Sequence, residues 1–450
     1  MGRHAGARRT VREAALDTTA GSWASVRCEE WLEKAEGMDR ADDLRDLRQE
    51  FLLPEDVIYL DGNSLGPLTR RGLEHLERAT LDWRRLGVGG WQGAEVPWFH
   101  LAETIGAMLS DVVGALPGEV IATAQTTLNL HQVLETFYRP SGERRVVVTD
   151  ALAFPSDLYA IAGHLEQRGL DVRRSLRLVP SRDGQTLAAD DILAALGDDV
   201  ALAVLPGVLY RSGQALAIGE ITAAAHARGV PVAWDLSHAV GAIPLALHRD
   251  EADFAFFCTY KYLCGGPGAI GGLFVHRRHL PVRPGMAGWF GSDKATQFDM
   301  PMELAPAADA GALQVGTPPV LAAAPLLGSL EIYREVGMET VRRRSLRQTE
   351  LLAAMADDVL GELGFQVVTP RSPEARGGHV ALAHPEAARL SRALKDRGVV
   401  PDFRPPDVVR LGPHPLYTTF REIAQALVVL RDIARTGEHL RYPEGREEVG

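Results

Sequence analysis

An acid and a lysine stand at the ends of two neighbouring apolar runs and could take part in one reaction. Asp235 ends the run Val230–Asp235, and Lys261 stands at the end of the run Phe254–Tyr260, 26 residues after the acid. If both runs are parallel strands, both side chains reach the carboxyl edge of one sheet, where α/β proteins bind ligands. Pyridoxal phosphate requires such a pair, because a lysine forms a Schiff base with its aldehyde and a carboxylate keeps its pyridine nitrogen protonated. A simple ion pair is the commoner explanation, so the flanking residues decide between the two.

Two adjacent threonines are placed where a phosphate group would bind. Thr126 and Thr127 lie between the predicted strand Glu119–Thr123 and a helix that starts near Leu128. Hydroxyl groups and free backbone N–H groups at the start of a helix bind phosphate at the positive end of the helix dipole. Taken alone, the pair is more simply explained by a threonine that caps the helix.

A short aromatic segment follows the next predicted strand. Phe154-Pro155-Ser156-Asp157 comes after Arg145–Thr149, which brings Phe154 to the same edge of the sheet. An aromatic face at that position could stack on a pyridine ring. The structural alternative is a core phenylalanine followed by Ser156 or Asp157 as a helix cap.

Two glycine motifs match other known patterns, but their context argues against both. Gly266–Gly271 fits GxGxxG, yet a strand, Leu273–Val275, follows where a dinucleotide site requires a helix, so we expect a glycine turn between two strands. Gly62–Gly66 fits the GxSxG pattern of serine hydrolases and follows a predicted strand, which makes Ser64 an alternative nucleophile. A hydrolase also needs an upstream oxyanion loop, and residues 20–50 are predicted to be helical instead.

The elements that would position these residues alternate between strands and helices. This alternation is typical of crossover units, so we predict an α/β fold whose large domain contains a seven-stranded, mostly parallel sheet. The predicted strands are Val57–Leu60, Glu119–Thr123, Arg145–Thr149, Ala201–Leu209, Val230–Asp235, Phe254–Tyr260 and Gly272–His276. The predicted helices between them are Thr69–Leu86, Trp98–Gly114, Thr127–Tyr138, Pro155–Arg168, Ala188–Leu196 and Gly219–Gly229.

A change of pattern after Pro318-Pro319 predicts a second, smaller α+β domain. We predict a large domain over residues 50–320 and a small domain formed by residues 20–50 and 325–450, since chain ends commonly lie near each other. Residues 1–20, which begin with a basic segment, are predicted to be a disordered tail. Beyond the two prolines, the predicted elements are two long helices and two short strands, Val320–Val336, Met338–Leu363, Gln366–Val368 and His379–Ala383.

Composition excludes several classes of protein. The chain has 450 residues, 46% of them hydrophobic and 24% charged, which is neither a disordered nor a fibrous composition. A formal net charge of −11 argues against nucleic acid or an anionic membrane surface as a partner. The three cysteines, Cys28, Cys258 and Cys264, form no CxxC pair, so we predict no disulfide and no metal site and expect a reducing cytoplasm. No apolar run reaches the length of a membrane span.

Taken together, these motifs resemble those of kynureninase in order and spacing over residues 50–430. The resemblance implies a pyridoxal-phosphate enzyme of the aspartate-aminotransferase-like fold type I. It implies a homodimer with a shared active site that cleaves L-kynurenine with water to anthranilate and L-alanine, a step of tryptophan catabolism and NAD biosynthesis. The matching segments are Tyr59–Gly66 (YLDGNSLG), Phe154–Asp157 (FPSD), Asp235–His238 (DLSH), Tyr260–Tyr262 (YKY), Gly266–Gly268 (GPG), Gln314–Thr317 (QVGT) and Pro415–Tyr417 (PLY).

The resemblance also implies roles for individual residues. Lys261 would form the Schiff base, Asp235 would hold the pyridine nitrogen, and Tyr260 would donate a proton to the substrate, with Lys261 as the rival donor. Substrate contacts would be Arg410 at the α-carboxylate, Trp91 near the aniline ring, and Ser64. The other cofactor contacts would be Thr126, Thr127, Phe154, Pro155, Ser156, Asp157, His238 and Tyr260, with Trp289 and Thr317 supplied by the partner subunit.

Alternatives remain for the reaction and for the substrate. A class V-type aminotransferase shares the fold and the lysine, whereas a cysteine desulfurase is disfavoured because no cysteine follows Cys264. Arg410 and Trp91 could also be a surface arginine and a core tryptophan. Departures from the usual kynureninase wording, such as Cys264-Gly265 and Pro401, fall where substrate shape could be recognised. The substrate is therefore kynurenine, its 3-hydroxy form or a modified kynurenine.

Overall fold

The computed structural model describes residues 22–445 and divides them into two compact units. The large unit comprises Leu68–Tyr210 and Gln214–Thr340; the terminal unit comprises Arg211–Gly213 and the described residues before Leu68 and after Thr340. These bounds differ from the predicted domain limits near residues 50 and 325. The predicted division into folding domains stays a prediction, and the predicted tail lies outside the described residues.

The structure contains fifteen strands within the described residues, all of them short. In chain order they are β1 (Phe51–Leu52), β2 (Ile58–Tyr59), β3 (Leu68–Thr69), β4 (Val120–Ala122), β5 (Val146–Asp150), β6 (Leu176–Val179), β7 (Val200–Pro206), β8 (Val232–Asp235), β9 (Phe254–Phe257), β10 (Gly272–Val275), β11 (Gln366–Val367), β12 (Val380–Ala383), β13 (Val399–Val400), β14 (Asp402–Arg404) and β15 (Val408–Leu411).

Thirteen α-helices accompany them in the same part of the chain. They are α1 (Ser22–Arg40), α2 (Arg70–Leu86), α3 (Gly90–Gly93), α4 (Leu101–Val113), α5 (Thr126–Phe137), α6 (Pro155–Gln167), α7 (Val172–Ser175), α8 (Ala189–Ala195), α9 (Ile218–His226), α10 (Val320–Val336), α11 (Met338–Leu360), α12 (Ala387–Asp396) and α13 (Phe420–Thr436). Among residues 22–445, no helix is both long and apolar enough to cross a bilayer.

A seven-stranded sheet forms the centre of the large unit and confirms the predicted α/β fold. Its spatial order is β4-β10-β9-β8-β7-β5-β6. The strands from β9 to β6 run parallel, and β10 runs antiparallel to both of its neighbours. Every residue of β5 and β9 is buried, as expected for strands covered on both faces. The carboxyl ends of the parallel strands therefore meet at one edge, called the carboxyl edge below.

The terminal unit has its own sheets and core. The strands β11-β12-β15-β14 form an antiparallel sheet, and β13 pairs with β2 in parallel. A core of apolar side chains links α11, α12 and α13 to β12 and β15. At the start of α13, Thr419 and Glu422 form a capping box, which fixes where this helix begins. The observed mixture of helices and antiparallel strands confirms the predicted smaller α+β part.

Several predicted elements are corrected by the structure. Val57–Leu60 was expected in the large sheet, but its central residues form β2 and pair with β13, since an apolar run indicates a strand without indicating its partner. The seventh strand of the large sheet is β6, which the sequence analysis missed because this edge strand is only partly buried. The strands β13 to β15 were also missed, because Pro401, Pro405 and Pro406 interrupt the apolar pattern of this segment.

Candidate active site

The carboxyl edge of the large sheet holds both Asp235 and Lys261. Asp235 is the last residue of β8 and lies opposite Phe256 of β9. The second strand ends at Phe257, so Lys261 stands in the following turn, which corrects the predicted strand end at Tyr260. The conclusion that parallel strands deliver the acid and the lysine to one edge is unchanged.

The turn that carries the lysine is held by hydrogen bonds around Thr259. Its hydroxyl donates to the carbonyl of Ile270 at 2.6 Å, and its carbonyl accepts from the N–H of Gly265 at 2.9 Å. Gly266 and Gly268 have φ angles of 91° and 72°, which favour glycine. The chain then enters the antiparallel strand β10, so the GxGxxG run is the predicted turn between two strands.

The lysine amine lies next to a buried histidine. Nζ of Lys261 is 3.0 Å from Nε2 of His238, and it lies 5.9 Å from the centroid of the Tyr260 ring. His238 is 5% exposed and follows Asp235 by three residues. The sequence analysis predicts the lysine, the acid, the tyrosine and the histidine in one site, and the structure places all four at the carboxyl edge.

Two buried carboxylates, Asp150 and Asp157, converge at this edge on the partly buried Asp235. Burial, together with the charge of Asp235 and a hydrogen bond to it, raises the pKa of Asp157 well above its ordinary value. Burial and the charge of Asp235 also raise the pKa of Asp150 to about 6. One oxygen of Asp150 accepts from the N–H of Leu152 at 2.8 Å, and Oδ2 has no hydrogen-bond partner within residues 22–445. Such a group of acids with few donors favours a bound cation.

Asp150 is a candidate that the sequence analysis missed. The apolar run before it was predicted to end at Thr149, whereas β5 continues to Asp150. The available signal was its position, because an acid directly after a buried parallel strand faces the carboxyl edge.

The phenol of Tyr260 is kept protonated by its surroundings. Burial, a hydrogen bond with the Cys258 thiol and the charge of Asp235 all raise the pKa of Tyr260. A neutral phenol at the edge can donate a proton but is a poor base at neutral pH.

The start of α5 offers hydrogen-bond donors at the same edge. The helix begins at Thr126, one residue before the start of the predicted helix Thr127–Tyr138, and its N-cap is Gln125, whose side chain makes no capping hydrogen bond. The threonines are therefore not the cap, and the first-turn N–H groups have no side-chain cap. The Thr127 hydroxyl lies 2.5 Å from the hydroxyl of Ser156, so a predicted phosphate contact adjoins a residue that is predicted to line the cofactor pocket.

Phe154 is exposed at the edge and is not a core phenylalanine. It precedes α6, which begins with Pro155 in the position where proline is favoured. Its side chain is 45% exposed, and its ring meets the ring of Tyr210 edge-on at 5.3 Å. Tyr210 in turn lies 6.5 Å from the ring of His238. Tyr210 was not among the predicted site residues, although the segment Leu209–Gly213 that contains it resembles a kynureninase segment.

The large unit contains three further predicted contacts, two to the cofactor and one to the substrate, and they differ in exposure. Trp289 is 45% exposed and donates through Nε1 to the carbonyl of Gln297 at 3.3 Å, and Thr317 is exposed. Trp91 is partly buried between aromatic rings, 5.8 Å from Trp98 and 6.2 Å from Phe290. These contacts within the chain leave the predicted roles of all three residues untested.

The predicted substrate contacts Arg410 and Ser64 belong to the terminal unit. Arg410 is fully buried in β15, so it is not a surface arginine. Its Nη2 forms an ion pair with Asp402 and donates to Oγ of Ser64 at 3.1 Å. The amide oxygen of Asn63 accepts from Nε of the same guanidinium at 2.7 Å. The structure thus joins the two predicted residues into one cluster and adds two that the sequence analysis missed.

The serine-hydrolase alternative finds no support in this geometry. Ser64 lies in a turn after β2, which is two residues long and lies outside the large sheet, so it does not sit on a strand-to-helix elbow. Its hydroxyl contacts the carboxylate of Asp402 and the guanidinium of Arg410, and neither of them is the neutral base that a serine nucleophile requires.

The groups at the carboxyl edge fit pyridoxal phosphate. The convergent carboxylates, including the unpartnered oxygen of Asp150, suit a protonated pyridine nitrogen. The amine of Lys261 is available for the aldehyde, and the first turn of α5 with the hydroxyls of Thr127 and Ser156 suits the phosphate.

One group of potential metal ligands occurs among the described residues, at the opposite edge of the sheet. Ligand atoms of Glu119, His248 and His276 lie within 4.8 Å of one another. The two imidazole rings are stacked at 4.8 Å with an angle of 7° between their planes, so their in-plane lone pairs do not converge on one point. The N–H groups of Leu116 and Arg277 already occupy the Glu119 oxygens, at 2.8 and 2.9 Å.

Comparison with known proteins by sequence gives relatives named kynureninase. A sequence model described as the kynureninase C-terminal domain matches residues 341–430. A protein named kynureninase from Geobacillus thermodenitrificans is 47% identical over 425 residues, which cover 94% of this chain and 99% of that protein. Proteins of the same name from Bacillus cereus and Shouchella clausii are 46% and 44% identical and cover 91% and 93% of this chain, and 96% and 97% of their own lengths.

Comparison of structures gives the fold. A complex of the cystine C-S lyase C-DES with its product cysteine persulfide has a TM-score of 0.73 at 21% identity and covers 84% of this chain and 98% of that chain. The cysteine desulfurase of Thermococcus onnurineus has the same TM-score at 19% identity, covering 87% and 98%. A further structure is a C-DES variant with glycine covalently linked to its pyridoxal-phosphate cofactor, with a TM-score of 0.73 at 20% identity, covering 84% and 97%.

Proposed function

The chain belongs to the kynureninase family, and from this premise we propose that it hydrolyses the Cβ–Cγ bond of L-kynurenine or a substituted kynurenine. The products are anthranilate and L-alanine, and the cofactor is pyridoxal phosphate. The observation that carries the proposal is the convergence of Lys261, His238 and three carboxylates at one sheet edge. The high identity to proteins named kynureninase over nearly the whole chain supports the choice of this reaction over the aminotransferase alternative.

When bound, pyridoxal phosphate supplies an aldehyde for condensation with an amine and a cationic ring that withdraws electrons from the bonds at Cα. The residues that would hold it are Lys261 at the aldehyde, Asp235 with Asp157 at the ring nitrogen, and Thr126 and Thr127 at the phosphate. Phe154 would stack on the ring. Pro155, Ser156, His238 and Tyr260 would complete the contacts.

Lys261 is proposed as the base that moves protons at the substrate's Cα. Because Lys261 is the residue proposed to hold the aldehyde, its amine would be next to the substrate carbon that must lose a proton. His238, at 3.0 Å from Nζ, holds the amine in place and can accept its excess proton.

The carboxylates keep the cofactor's ring nitrogen protonated in this proposal. Asp235 makes the direct contact, and Asp157 shares a proton with it, since the two acids hydrogen-bond to one another. Asp150 adds negative potential that a buried cation would neutralise.

Tyr260 is proposed as the proton donor to Cβ after bond cleavage. Its raised pKa keeps the donor form populated, and its ring lies beside the lysine. Lys261 is the rival donor. Replacing Tyr260 with Phe leaves the lysine contacts in place, so a large loss of turnover in this variant supports the tyrosine, whereas retained turnover supports the lysine.

Arg410, Ser64 and Trp91 are the residues proposed for substrate recognition. Arg410 would bind the α-carboxylate with its planar guanidinium, assisted by Ser64, and Trp91 would pack against the aniline ring. The buried position of Arg410, oriented by Asn63 and Asp402, supports this role because the side chain cannot rotate freely.

The proposed working form is a cytoplasmic homodimer. Trp289 and Thr317 would then reach the cofactor phosphate of the partner subunit, which suits their exposed positions. Dilution below the dimer dissociation constant would release cofactor if this is correct, and cofactor retention by a monomer would refute the shared site.

One assay tests the function directly. Purified protein with pyridoxal phosphate and L-kynurenine is expected to release anthranilate, which is followed by its fluorescence, together with an equal amount of L-alanine. Transfer of the amino group to an added keto acid without anthranilate would instead identify an aminotransferase. A panel with 3-hydroxykynurenine then ranks the substrates by kcat/KM.

A further inference from the structure

A buried acid in the terminal unit stands beside the proposed substrate arginine and has no role in the reaction described so far. Asp61 follows β2, and its backbone bridges in parallel to Gly412, two residues after Arg410. The N–H of Gly412 donates to the carbonyl of Leu60 at 2.7 Å. The acid is therefore carried by backbone that is fixed against the strand of the arginine.

The side chain of Asp61 is only half satisfied. It shares a hydrogen bond with the hydroxyl of Ser64, whereas Oδ1 is buried and has no hydrogen-bond partner within the described chain. A buried carboxylate oxygen without a donor is costly in its charged form. The same Ser64 hydroxyl accepts from Arg410 and lies 3.4 Å from Asp402, so the acid is part of the arginine cluster.

The charges of this cluster match those of a bound substrate carboxylate only when Asp61 carries a proton. Two positive charges, on Arg404 and Arg410, face the two acids, Asp61 and Asp402. With both acids ionised the cluster is neutral, and an incoming substrate carboxylate would leave one uncompensated negative charge. With a proton on Asp61 the cluster carries one positive charge, which an incoming carboxylate would neutralise.

The nearby ring of His414 adds no formal charge to this count, because its Nδ1 accepts from the N–H of Leu416 at 3.2 Å and so carries no proton. His414 and Tyr417 face Gly62, next to Asp61, and are stacked at 4.6 Å. Burial and the charge of Asp402 raise the pKa of Asp61 to about 7 against the opposing effects of Ser64 and both arginines. The proton on the acid is thus exchangeable near neutral pH.

We infer that Asp61 is a positioning residue for the substrate's α-carboxylate: it must hold a proton for Arg410 to accept that group, and it couples substrate binding to proton uptake. This inference rests on the proposed function, since it takes Arg410 as the carboxylate-binding residue. Binding of a carboxylate raises the affinity of Asp61 for its proton, so the bound acid stays neutral to higher pH. As the pH rises, KM increases and kcat does not follow it.

Calorimetric proton counting tests the inference on the holoenzyme. L-alanine, which carries the α-carboxylate, and ethylamine, which lacks it, are titrated at about pH 8 in buffers of different ionisation enthalpy. The difference between the two ligands gives the uptake that depends on the carboxylate. It is expected to approach about one proton in the native protein and in Asp56→Asn, an exposed matched control, and to vanish in Asp61→Asn. An absence of this uptake in the native protein, or its persistence in Asp61→Asn, overturns the inference.

A steady-state profile provides the second readout. KM for L-kynurenine is expected to rise by up to about tenfold per pH unit above neutrality in the native enzyme, and Asp61→Asn flattens this rise without changing the kcat profile. A kcat profile that changes with the substitution while KM does not contradicts the inference.

The variant Arg410→Gln separates the inference from the proposed function. If Arg410→Gln binds L-alanine as well as the native enzyme does, the proposed carboxylate site fails. If it binds much more weakly but proton uptake is the same in native protein and Asp61→Asn, only the role of Asp61 fails.

Discussion

The two edges of the large sheet bury acids to the same extent but shift the pKa values of these acids in opposite directions. At the carboxyl edge, Asp150 and Asp157 are 0% and 6% exposed, and the pKa of each is raised. At the opposite edge, Asp253 and Glu119 are 2% and 1% exposed, and the pKa of each is lowered. Burial is therefore not what distinguishes them.

Hydrogen-bond donors account for the difference. Asp253 accepts from Nε2 of His226 at 2.7 Å, from Nε2 of His279 at 2.8 Å and from the N–H of Val232 at 2.8 Å, and it pairs with Arg278 at 2.9 Å. Burial alone would raise the pKa of Asp253, but these donors lower it to about 2. The acids at the opposite edge are satisfied by donors within the protein, whereas those at the carboxyl edge keep negative charge with few donors, as a site for a cationic ligand must.

Replacing the central acid of the carboxyl edge should have the largest effect. Asp235→Asn is expected to lower turnover of L-kynurenine by about a thousandfold, because the amide cannot hold the ring nitrogen protonated. Thermal unfolding of the cofactor-free protein should occur at the same or a higher temperature, since one repelling charge is gone. Asp190→Asn, an exposed substitution of the same kind, serves as the control. Native turnover in Asp235→Asn would remove the electron-withdrawing role from this residue.

The equivalent change at the opposite edge should act on stability instead. Asp253→Asn is expected to lower the free energy of unfolding by about 3 kcal/mol, because the Arg278 charge loses its buried partner. Turnover per folded, cofactor-loaded molecule should stay near the native value. Urea denaturation at neutral pH and active-site titration measure the two quantities. A stable protein with impaired turnover would contradict the division between the edges.

The pH dependence of stability should also differ in sign between the edges. The pKa of Asp150 is raised to about 6 in the folded protein, so its penalty is absent below the unfolded value of about 3.9 and grows as the pH rises to 6 and above. Asp150→Asn should therefore stabilise the cofactor-free protein by about 1–3 kcal/mol at pH 7 and have little effect at about pH 4. Equal effects at both pH values would refute the raised pKa.

Asp253 contributes with the opposite sign. Its lowered pKa gives stability that is present above the unfolded value of about 3.9 and is lost as the pH falls through about 2. Removing one of its donors, in His226→Ala, should cost about 1 kcal/mol at neutral pH, the smallest effect in this series. Denaturation midpoints of this variant, compared with those of an exposed substitution, Glu166→Ala, provide the measurement.

The contrast between the edges also explains what the sequence could predict. Asp235 and Lys261 were predicted because parallel strands must deliver their ends to one edge, whatever the exact strand limits. The opposite edge was not predicted, since His226 ends α9 whereas Arg278 and His279 follow β10, and no local pattern connects these residues to Asp253. In the same way Val57–Leu60 was recognised as a strand, while its pairing with β13 depends on residues more than three hundred positions away.

Composition makes one test especially direct. The chain has four lysines, Lys34, Lys261, Lys294 and Lys395, so reduction of the cofactor-loaded protein with borohydride followed by tryptic mass spectrometry distinguishes them cleanly. The pyridoxyl adduct is expected on the peptide that contains Lys261, and Lys261→Ala should lose both the adduct and the visible absorbance of the loaded protein. An adduct on another lysine, or none on the native protein, would contradict the assignment of the carboxyl edge as the cofactor site.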